Sequence, residues 1–141
     1  MAVVEFVDQE AGLDEMLSQI DEPADPVERL RQALRVTARY APHIHELAMV
    51  FDMARRSDEA AAAAWNDRMS QRRGELHRLL VDIDRAGRLD EDWTVPRAVD
   101  ALFSVSEPRN YATLVVEADW SVDEYEDWLL EIIDRIIVTV A

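Results

Sequence analysis

The sequence predicts an all-α protein, an antiparallel bundle of about six to seven helices forming one domain over residues 1–141. Three observations predict it. Apolar residues recur at three- and four-residue spacing through most of the chain, the period of one helix face. Residues that start and stop helices punctuate this pattern. No segment alternates apolar and polar residues convincingly, as a half-buried strand would. With 49% hydrophobic and 32% charged residues, a chain of 141 can bury a core without disulfides or metals.

The first element is expected over about Val3 to Ile20, where Phe6, Val7, Leu13, Met16 and Leu17 form a stripe that Gly12 weakens. A polar link containing Pro23 follows. The second helix has Asp25 as N-cap, Pro26 at the first helical position and Glu28 at the third. Its stripe is Val27, Leu30 and Leu34, and it is expected to end near Tyr40. Pro42 then restarts the chain as a short third helix to Arg55, carrying Ile44, Leu47, Ala48 and Phe51. Ser57 is expected to cap a long fourth helix that begins with the alanine run Ala60 to Ala64 and continues through Trp65, Met69, Leu76, Leu79, Leu80 and Ile83 to a stop at Gly87. Thr94 and Pro96 open a fifth helix bearing Val99, Leu102 and Phe103. Ser106-Glu107-Pro108 interrupts it, and a further helical piece runs through Tyr111, Leu114 and Val115. Ser121 and Glu124 form a capping box for the last helix, with Trp120 and Tyr125 as a staple around it.

Charge and composition exclude several functions. The net charge is −15, and all fifteen basic residues are arginine. Binding a duplex depends on cationic neutralisation of phosphates, so this chain alone is not expected to bind nucleic acid. The largely apolar stretch Ile136 to Ala141 is far short of the ~20 residues a spanning helix needs, as is every other apolar run, and no membrane association is expected. The N-terminus has acids where a signal peptide has basic residues. Cysteine is absent, which removes disulfides, zinc-thiolate sites and thiol nucleophiles and agrees with a cytoplasmic location.

The segment Ser104-Val105-Ser106-Glu107-Pro108-Arg109-Asn110-Tyr111-Ala112-Thr113-Leu114-Val115-Val116-Glu117, followed by Trp120-Ser121-Val122-Asp123-Glu124-Tyr125-Glu126-Asp127-Trp128, resembles the closing helices of tetracycline-repressor-type (TetR) regulators. Asp25-Pro26-Val27-Glu28-Arg29-Leu30, and the alanine-rich helix into Trp65 and Arg72-Arg73, resemble the layout of that family's sensor domain. The likeness covers about residues 20 to 141. It implies a C-terminal ligand-binding and dimerisation domain without the family's helix-turn-helix reader of the major groove. Residues 1–20 are then a linker helix, and the chain is either part of a longer regulator or a product that lacks the reader.

The resemblance assigns the last two helices to a homodimer interface, with Leu114, Trp128, Leu129, Ile132, Ile133, Ile136 and Ile137 facing the partner. The competing reading buries that stripe within one chain. A cavity between the middle helices is expected for an apolar or amphipathic small-molecule effector, lined by Met49, Met53, Trp65, Met69, Phe103 and Tyr111, with Arg72 and Asn110 as polar contacts. Against this stands ordinary core packing for each residue. His43 and His45, two apart, fall on different helix faces and give poor spacing for a metal. The acids at 90–92 and 123–127 read as solvated helix starts. No nucleophile motif is present, and three glycines are too few for a phosphate-cradling loop. No enzyme activity, metal or cofactor is therefore expected. The leading function is a sensor and dimerisation domain; the alternative is an acidic helical module that binds a partner protein without a small ligand.

Overall fold

The computed structural model describes residues 22–139, which hold five α-helices. They are α1 (Pro26–Ala54), α2 (Glu59–Arg85), α3 (Val95–Val105), α4 (Pro108–Tyr111) and α5 (Val122–Ile132). α4 continues as a π-helical stretch Ala112–Glu117, and α5 as another, Ile133–Ile137. The predicted first helix lies outside the described residues, as does Val140.

α1 begins as its sequence dictates: the Asp25 carboxylate accepts from the Glu28 amide at 3.1 Å, and Pro26 occupies the first turn. It does not end near Tyr40. The two expected helices are one, 29 residues long, with Pro42 inside it. An internal proline removes a backbone hydrogen bond and costs about 3 kcal/mol. The apolar stripe Leu34, Ala38, Ala41, Ile44, Ala48 and Phe51 runs unbroken past it and is buried throughout. Burial of that continuous stripe outweighs the local penalty.

Asp58, not Ser57, caps α2, because its carboxylate accepts from the amides of both Ala60 (2.9 Å) and Ala61 (3.2 Å). α2 stops in a Schellman turn at Gly87, whose φ of +71° disfavours any side chain; Arg88 N donates to Ile83 O and Gly87 N to Asp84 O. Thr94 caps α3, and Ser121 with Glu124 closes the expected capping box on α5. Trp120, read as half of a staple, stacks edge-on to Trp128.

α1 is the central element and packs on α2, α4 and α5, while α3 covers α2. The ion pairs Arg29–Asp82, Arg31–Asp134 and Arg39–Asp123 set α1 antiparallel to both α2 and α5. Leu30, Leu80, Ile83, Leu102, Tyr125, Leu129, Ile133 and Ile137 fill the main core. The chain's end is tied to the α2–α3 link, where Leu89 pairs with Val138 and the Trp93 indole donates to Ile136 O at 2.9 Å. Among the described residues no helix is long and apolar enough to cross a membrane.

Candidate functional site

A cleft of about 290 Å³ opens where the second half of α1 meets the first half of α2 beneath the α3–α4 corner. α1 contributes Met49, Asp52 and Arg55; α2 contributes Trp65, Asn66, Met69 and Arg73; α3 contributes Phe103; the corner contributes Glu107, Pro108 and Arg109. The wall is short of bulky aliphatic residues because the helices meet here over Ala48 and Ala61. Phe51 backs it, edge-on to Trp65 at 5.4 Å.

The polar side of the cleft is organised by Asp52. This residue is 5% exposed and sits four positions after Ala48, in register with the buried stripe. A buried carboxylate must be paired or it will neutralise. Asp52 Oδ1 accepts from Arg55 at 2.6 Å, and Oδ2 accepts from Arg109 at 2.6 Å, with Arg56 at 3.8 Å. Burial disfavours its charge, but the hydrogen bonds from Arg55 and Arg109 outweigh that and hold the carboxyl below its ordinary value. The guanidiniums lie over aromatic faces: Arg55 is 5.1 Å from the Trp65 ring centre, and Arg73 is 4.2 Å from that of Phe103. Arg73 is also held by Asp100 at 2.6 Å.

On the other side of the corner lies a small cavity of about 30 Å³, lined in part by His45, Arg72, Ser106, Tyr111 and Tyr125. The Tyr111 ring meets His45 at 5.0 Å and Tyr125 at 5.5 Å. His45 Nδ1 is buried and finds no hydrogen-bond partner among the described residues. Burial pushes the Tyr125 hydroxyl up to about 12. Burial also raises Tyr111.

The expected ligand residues therefore divide. Met49, Trp65, Met69 and Phe103 line the cleft. Arg72 and Tyr111 line the small cavity, where Arg72 donates to Ser106 O at 3.2 Å. Met53 lines neither and points outward, 72% exposed. Asn110 uses its amide to bind the carbonyl of Ser104 and so braces the corner. Sequence reasoning missed Asp52, Arg55, Arg73 and Arg109. Asp52 carried a signal, since it is an acid in the register of a buried stripe with arginines three and four residues on. Arg109 reaches Asp52 across 57 positions and carried none.

Of the residues assigned to a partner, Leu129, Ile133 and Ile137 are fully buried within this chain. Leu114, Trp128 and Ile132 are half-buried, and Ile136 is 50% exposed. Trp128, Ile132 and Ile136 recur every four residues on α5 and its extension. Among the described residues no three His, Cys, Asp or Glu side chains converge as a metal site.

No family model, curated protein or solved structure matches the chain.

Proposed function

We propose that this chain is a small-molecule-sensing and dimerisation domain of the TetR-like kind. A ligand binds in the cleft between α1, α2 and the α3–α4 corner, and a twofold partner packs on the outer side of α5. The observation that carries this reading is the cleft itself. Its volume lies at the lower edge of the roughly 300–1,000 Å³ typical of small-molecule sites. Trp65, Met69 and Phe103 give it an apolar floor, and a few fixed polar groups orient what enters. A partner-binding module without a ligand has no need of such an opening.

For dimerisation, the surface left over is Trp128, Ile132 and Ile136 with Leu114. Leu129, Ile133 and Ile137 serve instead to seat α5 on the core. A ligand that joins α1 to α4 acts one element away from α5, and it signals only if its affinity differs between two arrangements of these helices.

Native mass spectrometry of the purified protein tests both parts. The expected result is a dimer carrying one small molecule per chain, lost on denaturation, and converted to monomer by Ile136→Asp. A strict monomer at micromolar concentration would overturn the twofold interface. A ligand-site variant such as Met49→Trp that retains the adduct would overturn the cleft.

A further inference from the structure

The cleft selects for charge. We propose that its ligand is an organic anion, an acid with an aromatic or alicyclic body, whose charged end is bound by Arg109 and Arg55 and whose body rests on Trp65, Met69 and Phe103. This rests on the cleft being the ligand site, and it adds the chemical class.

The chain carries a net charge of −15, yet this wall presents three arginines against the carboxylates Asp52 and Glu107. The excess lies around Asp52, where Arg56 approaches from outside the cleft lining. Three guanidiniums, those of Arg55, Arg56 and Arg109, meet on the single carboxylate of Asp52. One acceptor with two oxygens cannot saturate fifteen guanidinium N–H donors, five from each arginine. Stacking on Trp65 occupies the face of Arg55 and leaves its in-plane N–H edge for an acceptor.

Of the three arginines that line the cleft, Arg109 has the most exposed side chain. Its side chain is 58% exposed, and Asp52 is its one side-chain partner among the described residues. It can turn to an incoming acid without stranding a buried charge, because Asp52 keeps Arg55 and Arg56. Arg73 cannot do so as readily, being held by Asp100. With Arg73 answered by Asp100, the unanswered cations are those gathered on Asp52, and an anionic ligand supplies them an acceptor that a neutral or cationic one does not. A planar carboxylate or sulfonate matches the fork of Arg109.

Two fluorescent dyes of nearly the same skeleton separate charge from shape: anionic 8-anilinonaphthalene-1-sulfonate and neutral N-phenyl-1-naphthylamine. The expected result is saturable binding of the anion at one site per chain. Arg109→Met weakens it about tenfold and leaves the neutral dye unchanged. Arg109→Lys recovers part of the loss, and added salt weakens only the anion. Circular dichroism checks that each variant folds. If both dyes bind alike and Arg109→Met affects neither, the cleft remains a ligand site and the anion assignment falls. If neither dye binds saturably, or if Met49→Trp changes neither, the site itself is lost and the assignment with it.

Discussion

The first half of α1 and the last half of α2 meet over leucine and isoleucine; the last half of α1 and the first half of α2 meet over alanine. At the first end Leu30, Leu34, Leu79, Leu80 and Ile83 are at most 3% exposed and interlock with Leu102, Leu129 and Ile133. At the second, among the described residues, Ala48, Phe51 and Ala61 form a small separate cluster beside a half-buried Trp65, and ion pairs around Asp52 flank it. Each leucine buried contributes roughly 1.5–3 kcal/mol, and an alanine methyl under about 1. The same two helices therefore have a closed end that fixes the fold and an open end whose structure is cheaper to disturb. Ligand sites are drawn from the less stable parts of a protein. Here that difference is written in side-chain size along a single helix pair.

The largest effect should appear at the closed end. Leu80→Ala is expected to lower unfolding stability by about 2–5 kcal/mol in urea melts, since the cavity it leaves is walled by packed helices. A loss comparable to that of a surface change would mean the closed end is loosely packed and would remove the contrast.

Asp52→Asn comes next and probes the open end, at about 1.5–3 kcal/mol for charged hydrogen bonds weakened at a buried site. It also carries a pH signature. The Asp52 carboxyl is held below its ordinary value, so its stabilisation is complete above about pH 4 and is lost as pH falls through the depressed folded value. Acid titration of the melting midpoint should show this limb in the wild type and a shallower one in the variant. Equal limbs would show that the arginines do not hold Asp52 in its charged form.

The legibility of the two ends from sequence differs for the same physical reason. Apolar periodicity reports burial, so the closed end, with its leucines at three- and four-residue spacing, was readable together with the caps at Asp25, Thr94 and Ser121. The break expected at Pro42 did not occur, because a local rule for proline was overridden by a stripe packed along its whole length. At the open end the methionines and aromatics of the cleft were readable as apolar. The arginines were not, since an arginine beside an acid looks the same in sequence whether it faces solvent or a cavity. The last helix was over-read: Leu129, Ile133 and Ile137 are apolar because this chain's own core needs them.

A smaller effect belongs to Met49, half-buried at the cleft. Met49→Ala is expected to cost less than about 1 kcal/mol, because the side chain borders open space and little packing is lost. Its effect should fall on dye affinity instead. A stability loss as large as that of Leu80→Ala would mean the cleft is closed in solution, and the two ends would then be alike.

The smallest effect tests whether arginine itself, or its setting, makes the site. Arg39 and Arg109 look equivalent: both are more than half exposed, and both meet a carboxylate at 2.7 Å or less. Their surroundings differ in sign. Arg39 lies between two acids of α5, Asp123 and Glu126, so one cation answers two anions. Arg109 shares one acid with two further cations. Exposed ion pairs contribute little and are screened by salt. Arg39→Ala should therefore leave the urea midpoint unchanged at about 0.5 M salt, and anionic dye affinity unchanged at any salt. A loss of dye binding in Arg39→Ala matching that in Arg109→Met would mean that general surface charge, rather than the three-to-one arrangement around Asp52, draws the anion.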